Sequence, residues 1–262
     1  MNGELHALRA LARCLPPVPG AGIVGNLIRD FYARRARQRV VVGVRGVLMD
    51  LEPSENVDGS LLFCPHLYDR KELAALLPLL ARGDVFVDVG SHLGLYALLA
   101  ATRVAPGGRV LAIEADPRNH ERLLDNVRRN PDLPIETVRI AVSDTDGTAL
   151  LEQNTTGNRG GNALLAGGDD AIEVPCRPLA AVLEERGLDR VAGLRLDIDG
   201  MEFRVLRRYF EDVPKEARPR VIVCGHWRGW IERAGGDASR LLCESGYREV
   251  LATRISRVVV AA

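Results

Sequence analysis

The stretch D-V-F-V-D-V-G-S-H-L-G, residues Asp84–Gly94, is the clearest indication of fold in this chain. Its first half is a short apolar run rich in β-branched residues, which predicts a buried parallel strand with Asp88 near its end. Gly90 and Gly94 then bracket a tight turn, and the helix-forming run Leu95–Ala101 follows. Strand, glycine turn and helix make the first half of a βαβ nucleotide-binding unit, whose ligand lies beyond the carboxyl ends of the strands.

The spacing of this turn favours one cofactor over another. A dinucleotide fold requires G-x-G-x-x-G, whereas the pattern here is Asp88-x-Gly90-x-x-x-Gly94, with His92 at the position of the second glycine. A bulky residue there hinders a pyrophosphate, and a carboxylate suits a cationic or amine-bearing ligand. The pattern therefore favours S-adenosylmethionine (SAM) over NAD.

A second acid ends the next predicted strand. Arg109–Ala115 is another apolar run, with Glu114 near its end. An acid at this position is placed to accept hydrogen bonds from both ribose hydroxyls, and the alternative is that it caps the helix beginning near Pro117. Two carboxylates at successive strand ends favour the cofactor interpretation.

The composition fits one α/β domain with additions, because 47% of the 262 residues are hydrophobic. Lys and Arg together number 35, and so do Asp and Glu, so the chain has no net charge that would require a nucleic-acid or membrane partner. Five cysteines without a C-x-x-C pair argue against a disulfide framework or zinc cage and predict a cytoplasmic protein. No run approaches the ~20 apolar residues of a membrane span.

Residues 1–69 predict a helical and β-hairpin extension before a main domain over residues 70–262. Its predicted elements are two helices, a hairpin and a short strand: Glu4–Leu15, Ile23–Arg37, Val40–Val44 with Val47–Leu51, and Leu61–Cys64. We favour the helices as a packed appendage with a solvated basic face. The alternatives are a lid or a homodimer contact.

The rest of the chain alternates strands and helices, which predicts an α/β, Rossmann-like sheet with helices on both faces. A terminal hairpin after five βα units is the ending expected of the seven-stranded sheet of SAM-dependent methyltransferases. The predicted helices are Arg70–Ala81, Pro117–Asn130, Leu179–Arg186, Glu202–Phe210 and Asp237–Ser245. The predicted strands are Val138–Val142, Thr148–Glu152, Ile172–Cys176, Gly193–Gly200 and Arg220–Cys224, then the antiparallel hairpin Tyr247–Thr253 and Arg257–Ala261. Residues 154–170 predict a substrate-gating loop, with Asn158 and Asn162 as its polar contacts.

Acids and a histidine at later strand ends are the candidates for chemistry. Alternation in Gly193–Gly200 places Asp197 and Asp199 on one side of the strand if the extended geometry persists. Asp197 is a predicted site residue, and the alternative is a structural ion pair with Arg195. His226 follows the strand Arg220–Cys224, where it is either a general base or a hydrogen-bonded filler.

Three other pairs of residues are candidates for lining the ligand pocket. Trp227 and Trp230 predict a wall for an apolar or sugar-like acceptor. Tyr68 and Asp69 either line the cofactor pocket or, for Asp69, cap the following helix. Ser143 and Asp144, at another strand end, either bind the adenine or are plain turn residues.

Five motifs together resemble the FkbM family of SAM-dependent methyltransferases over about residues 68–247. They are D-V-F-V-D-V-G-S-H-L-G-L-Y (84–96), V-L-A-I-E-A-D-P (110–117), A-V-S-D-T-D-G (141–147), L-R-L-D-I-D-G-M-E (194–202) and V-C-G-H (223–226). The resemblance implies a class I methyltransferase fold, SAM as cofactor and methylation of hydroxyl oxygens on natural products, sugars or lipids. Arg195, Asp199 and Cys224 depart from the usual Lys, Glu and Glu of the family.

The resemblance also implies roles for individual residues. Asp88, Gly90, Gly94 and Tyr96 are expected around the amino-acid part of SAM, Glu114 at the ribose, and Ser143 with Asp144 at the adenine. The full predicted cofactor set is Tyr68, Asp88, Gly90, Ser91, His92, Gly94, Tyr96, Glu114, Ala115, Asn119, Ser143, Asp144 and Asp197.

For the chemistry, the hypothesis is that His226 or Asp197 removes the proton of a small hydroxylated acceptor and Asp199 orients the acceptor or the base. A divalent metal held by these three residues ranks lower, and no metal is predicted. Two functions of other classes remain as alternatives: a non-catalytic SAM-binding or scaffold protein, and an NAD-dependent oxidoreductase.

Overall fold

The computed structural model describes residues 3–18, 20–35, 38–152, 171–226 and 235–262. In these ranges the strands are β1 (Val40–Val44), β2 (Val47–Leu51), β3 (Val85–Val89), β4 (Arg109–Ile113), β5 (Ile135–Val138), β6 (Ala141–Ser143), β7 (Gly147–Glu152), β8 (Ala171–Pro178), β9 (Gly193–Leu196), β10 (Val221–Gly225), β11 (Tyr247–Ala252) and β12 (Ser256–Ala261). The helices are α1 (Gly3–Arg13), α2 (Ala21–Ala33), α3 (Asn56–Phe63), α4 (Arg70–Leu76), α5 (Leu95–Val104), α6 (Pro117–Arg128), α7 (Leu179–Glu185), α8 (Glu202–Asp212) and α9 (Ala238–Glu244).

A seven-stranded sheet in the order β11-β12-β10-β9-β3-β4-β5 forms the centre of the molecule. The strands β10, β9, β3, β4 and β5 are parallel, and β12 inserts antiparallel between β10 and β11. This arrangement confirms the predicted seven-stranded mixed sheet and its terminal hairpin. The parallel strands end at one edge, so their terminal acids are brought together there.

Alternation along β3 explains why helices cover both faces of the sheet. Phe86 packs into one hydrophobic cluster together with Leu98 of α5. Val87 and Val89 point the other way, into a second cluster that contains Val205 of α8. Because successive side chains of a strand face opposite sides, each face of the buried strand requires its own helical layer.

The extension packs on the sheet domain through a continuous apolar core. Leu5, Tyr32 and Phe63 belong to the same cluster as Leu98 of α5. The predicted boundary between residues 69 and 70 therefore crosses a shared core, and it stays a prediction. Asn126 of α6 reinforces the contact, since its side-chain oxygen accepts from the Asp50 amide at 2.7 Å.

Two predicted strands are wrong in kind or extent. Leu61–Cys64 was expected to be a strand, but its apolar residues end α3, because a short apolar run fits a buried helix equally well. Val138–Val142 was expected as one strand, but β5 ends at Val138 and β6 begins at Ala141. There β6 leaves the central sheet and joins β8 and β7 in a three-stranded sheet.

Several other predicted elements are shorter than expected. The helix predicted over Arg70–Ala81 ends at Leu76 and continues as a 3₁₀ turn over Leu77–Leu79, since Pro78 lacks the amide proton that an α-helix uses. The strand predicted over Gly193–Gly200 ends at Leu196. The helix predicted over Ile23–Arg37 ends at Ala33. Its predicted last residue, Arg37, and the predicted loop 154–170 lie outside the described residues.

Candidate functional site

Two neighbouring clefts open at the carboxyl ends of the parallel strands. The Glu114 cleft has about 510 Å³ of empty space and is lined by Val89, Gly90, His92, Ile113, Glu114, Ala115, Asn119, Ile140, Ala141, Val142, Leu151, Asp197, Ile198 and Asp199. The Tyr96 cleft has about 920 Å³ and is lined by Asn56, Val57, Ser60, Tyr68, Asp69, Tyr96, Arg195, Leu196, Asp197, Asp199, Val223, Gly225, Ile255 and Ser256. Asp197 and Asp199 line both clefts, so these two acids stand at their junction.

Glu114 is held at the end of β4 by two backbone amides. His92 donates its amide to Oε2 at 2.7 Å, and Asp116 donates its amide to Oε1 at 2.9 Å. Burial nevertheless outweighs these bonds and raises the pKa of Glu114 to about 7. A carboxylate offers about four acceptor positions, so Glu114 keeps the capacity to accept bonds from a ligand.

The glycine turn after β3 makes a close approach to protein backbone. A Cβ on Gly90, whose φ is 78°, would lie 2.1 Å from the Asp197 carbonyl oxygen. A Cβ on Gly94, whose φ is 90°, would lie 2.6 Å from Leu123 of α6. The glycines were predicted to admit a ligand, and the described structure shows that they also admit the end of β9 and helix α6.

Asp88 is buried beneath the turn in an ion-paired group that we call the Arg195 clamp: Asp88, Arg195 and Asp197. Arg195 Nη1 donates to Asp88 Oδ1 at 2.9 Å and to the Gly90 carbonyl at 3.0 Å, and Nη2 donates to Asp197 Oδ2 at 2.5 Å. The β3–β9 register places Asp88 directly beside Arg195. The ion pair that was the alternative interpretation of Asp197 is therefore present, and the ligand roles of both acids stay predictions.

Asp88 still has an unused atom. Its side chain is 0% exposed, and Oδ2 makes no hydrogen bond to any described residue. Burial raises the pKa of Asp88, and the charge of Arg195 acts in the opposite direction.

Tyr96 extends the clamp into the second cleft. The Arg195 guanidinium lies 4.3 Å from the centre of the Tyr96 ring, and the Tyr96 hydroxyl donates to Asp69 Oδ2 at 3.0 Å. Asp69 occupies the position before α4 but makes no side-chain capping bond, and burial raises its pKa to about 6. Asp69 thus lines the Tyr96 cleft together with Tyr68 and makes no capping bond to α4. The predicted place of this pair in the cofactor pocket stays a prediction.

Asp199 lies in the turn that follows β9, in a left-handed conformation with φ of 46°. The extended geometry does not persist to this residue, yet the turn still keeps Asp199 beside Asp197 at the junction of the clefts. Burial raises the pKa of Asp199 to about 8, helped by the negative charges of Asp197 and Glu202.

Glu202 is a site-building residue that the sequence analysis did not single out. Its Oε1 accepts from the Ile198 amide and its Oε2 from the Gly200 amide, both at 2.9 Å. These bonds hold the turn that carries Asp199. The signal was present, because Glu202 ends the motif L-R-L-D-I-D-G-M-E.

Other predicted residues lie elsewhere. Ser143 and Asp144 line neither cleft; Asp144 Oδ2 instead accepts from Arg204 Nε at 3.0 Å. His226 also lines neither cleft: its Nδ1 is 3.0 Å from Ser239 Oγ, and its amide donates to the Ile255 carbonyl at 2.8 Å.

Ser91 donates its hydroxyl to the Asp88 carbonyl at 2.7 Å, which braces the glycine turn. Trp227, Trp230, Asn158 and Asn162 lie outside the described residues. Within the part of the chain that the structure describes, no three His, Cys, Asp or Glu side chains are grouped to hold a metal ion. None of the described helices has the length and apolarity to cross a membrane.

Comparison with known proteins identifies one family. Residues 88–249, more than half of the chain, match the family model described as the methyltransferase FkbM domain. A search of curated proteins found no significant match.

Solved structures with a similar fold include three methyltransferase-related proteins. The methyltransferase FkbM from Methylobacillus flagellatus has 15% identity and a TM-score of 0.49, over 92% of this chain and 60% of that one. The precorrin-6y C5,15-methyltransferase from Geobacter metallireducens has 14% identity and a TM-score of 0.46, over 73% and 87%. Fibrillarin from Aeropyrum pernix, solved with bound SAM, has 17% identity and a TM-score of 0.43, over 73% and 74%.

Proposed function

The chain belongs to the FkbM methyltransferase family and is a SAM-dependent methyltransferase, and we propose that it methylates a hydroxyl oxygen of a small-molecule acceptor. The acceptor class is a natural product, a sugar or a lipid-linked compound. The observation that supports this proposal is the shared wall of the two clefts, because Asp197 and Asp199 line both of them. We assign the Glu114 cleft to the cofactor and the Tyr96 cleft to the acceptor.

The residues of the Glu114 cleft fit SAM. The apolar side chains of this cleft suit the planar adenine ring of SAM; they are Ile113, Ile140, Val142 and Leu151. Glu114 has acceptor capacity for vicinal hydroxyls, and Asp197 at the junction suits a positively charged sulfur. When bound, SAM supplies a methyl group on a sulfonium, which is already electrophilic and leaves as a neutral thioether.

The task left to the protein is to orient the acceptor and remove its proton. Asp199 is our choice of base, because its side chain lines the acceptor cleft and its pKa of about 8 lies within about one unit of neutral pH. Asp197 is engaged by Arg195 and is proposed to orient the acceptor, and His226 lines neither cleft. In this assignment Asp199 takes the hydroxyl proton as the acceptor oxygen bonds to the methyl carbon.

The test is turnover with SAM and a panel of hydroxylated metabolites, followed by mass spectrometry for methyl gain and for S-adenosylhomocysteine. Asp199→Asn is expected to lose about a hundredfold or more in turnover, with SAM affinity by calorimetry changed less than about twofold. Asp146→Asn, with a side chain 67% exposed outside both clefts, is the matched control. Asp197→Asn and His226→Ala run in parallel.

Each outcome separates one part of the assignment. Full turnover in Asp199→Asn removes it as the base, and loss in His226→Ala alone would restore the histidine. Methyl gain on nitrogen or carbon overturns the O-methylation proposal. SAM binding without turnover on any acceptor would support the non-catalytic alternative.

A further inference from the structure

Helix α2 carries an apolar face that the described structure leaves open to solvent. Ile23 is 67% exposed, Leu27 64%, and Val24 and Phe31 are 44% each. At 100° per residue, these four side chains lie within one arc of the helix. The opposite side is the packed one, where Tyr32 meets the Phe63 ring edge-on at 5.7 Å.

The charge around this face is positive. Arg34 and Arg35 follow the helix, and the Arg35 guanidinium lies 3.7 Å from the centre of the Phe31 ring, so the cation borders the apolar side chains. Asp30, the one acidic residue of α2, is paired with Arg29 at 2.8 Å. Over residues 3–35 the sequence holds five arginines against two acids, although the whole chain is neutral.

We propose that the α2 face, defined by Ile23, Val24, Leu27, Phe31, Arg34 and Arg35, docks on an anionic lipid bilayer surface. An exposed apolar stripe bordered by arginines is the pattern of a helix that lies in the membrane interface. The apolar side chains enter the boundary of the acyl region, and the guanidinium groups meet lipid phosphates. The docked helix lies on the membrane and does not cross it.

The same charges disfavour a second copy of this chain as the occupant. In an antiparallel pairing of two α2 helices, Arg34 and Arg35 of one copy would face the helix N-terminus of the other, which carries partial positive charge. In a parallel pairing, the arginines of both copies would face each other. An anionic bilayer offers an acyl region to the apolar side chains and phosphates to the arginines.

The position of α2 gives the docking a consequence for the acceptor. A groove between α2 and α3 is lined by Gly22, Gly25 and Gly59, and it shares Asn56, Ser60 and Tyr68 with the Tyr96 cleft. A molecule carried by the membrane therefore has a route along α2 to the acceptor cleft. This consequence, an amphipathic acceptor presented from the bilayer, rests on the proposed function, whereas the docking does not.

The experiment is co-sedimentation of the full chain with vesicles of phosphatidylcholine alone and with phosphatidylglycerol added. Wild type is expected to partition onto the anionic vesicles and to be released by salt. Val24→Glu is expected to weaken partition about tenfold or more, because it places a charge in the apolar face. Val250→Glu is the matched control, since Val250 is the same residue type at 42% exposure on β11.

Separate measurements test the role of the two arginines and the alternative that a second copy of the chain covers the α2 face. Arg34→Glu with Arg35→Glu is expected to remove the preference for anionic vesicles. Equal partition of Val24→Glu and Val250→Glu, or no partition of wild type, overturns the proposal. A lipid-free dimer by light scattering that Val24→Glu converts to a monomer would assign the face to a second copy. These readouts need no turnover, so they fail independently of the methyl-transfer assignment.

Discussion

Replacing Arg195 with Met tests whether the Arg195 clamp holds the site together. The substitution removes the guanidinium that bridges Asp88 Oδ1 at 2.9 Å and Asp197 Oδ2 at 2.5 Å, while keeping an apolar stem of similar length. The side chain of Asp88 is 0% exposed, so water cannot replace the lost partner. Arg195 itself is 12% exposed, which makes this a buried pair.

The expected cost follows from burial. Breaking a buried ion pair by removing one partner costs about 3–5 kcal/mol, a large share of the ~5–15 kcal/mol that stabilises a typical domain. Arg208→Met is the control, because Arg208 pairs with Asp212 one helical turn away and is 44% exposed. Exposed pairs of this kind contribute about 0.3–0.5 kcal/mol. The loss of stability in Arg195→Lys is expected to lie between those of Arg195→Met and Arg208→Met. An ammonium keeps the charge but lacks the forked pair of N–H donors of a guanidinium.

The pH dependence gives the prediction its second test. Burial raises the pKa of Asp88 and Arg195 opposes that rise, so removing Arg195 raises the pKa further. A carboxyl with a raised folded-state pKa loses stability as pH rises from its unfolded value through its folded value. The deficit of Arg195→Met should therefore be larger at pH 8 than at pH 5. Urea unfolding at both pH values, followed by circular dichroism, measures the loss of stability in each variant. A loss for Arg195→Met at pH 8 that is no larger than the loss for Arg208→Met refutes the reasoning.

Three further outcomes test the same region. Glu114→Gln is expected to weaken SAM binding by about tenfold in calorimetry, because an amide accepts at one atom where the carboxylate accepts at two; unchanged affinity would contradict the ribose role. Burial raises the pKa of Glu202 to about 7, so the free energy of unfolding is expected to fall as pH rises from about 4.5 through 7. Glu202→Gln should reduce that fall by up to roughly 3 kcal/mol, measured by urea unfolding at several pH values. Gly90→Ala should cost about 3 kcal/mol or more, because its Cβ meets the Asp197 carbonyl, whereas Gly107→Ala, with φ of 86° and open space around it, should cost about 1–2 kcal/mol from strain alone; equal losses would exclude the clash.

The strands of the parallel sheet were predictable because each core strand carries its own local signal. The run before Asp88 and the run before Glu114 are both apolar, short and bounded by turn residues, and both became neighbouring strands. The signal failed where two structures satisfy the same pattern. Leu61–Cys64 is apolar enough for a strand, but its first three residues end α3, where Phe63 packs edge-on against Tyr32 of α2.

The site residues also include some features that the local sequence predicts and others that depend on how the strands pair. Acids at strand ends converge on one edge, so Glu114, Asp197 and Asp199 could be predicted to meet, and they line one cleft. The register between strands determines which acid faces the cleft and which forms an ion pair with a cation. Asp88 and Arg195 are 107 residues apart, and only the pairing of β3 with β9 brings them together.

The same distinction explains why α2 was predicted as a helix without its exposed face being recognised. Ile23, Leu27, Ile28 and Tyr32 are all apolar, so periodicity alone does not say which of them is covered. Packing against Phe63 covers the Tyr32 side and leaves Ile23 and Leu27 in solvent. A face that its own fold leaves uncovered carries a hydrophobic cost unless another surface covers it, and the arginines beside it determine the sign of charge which that surface must bring.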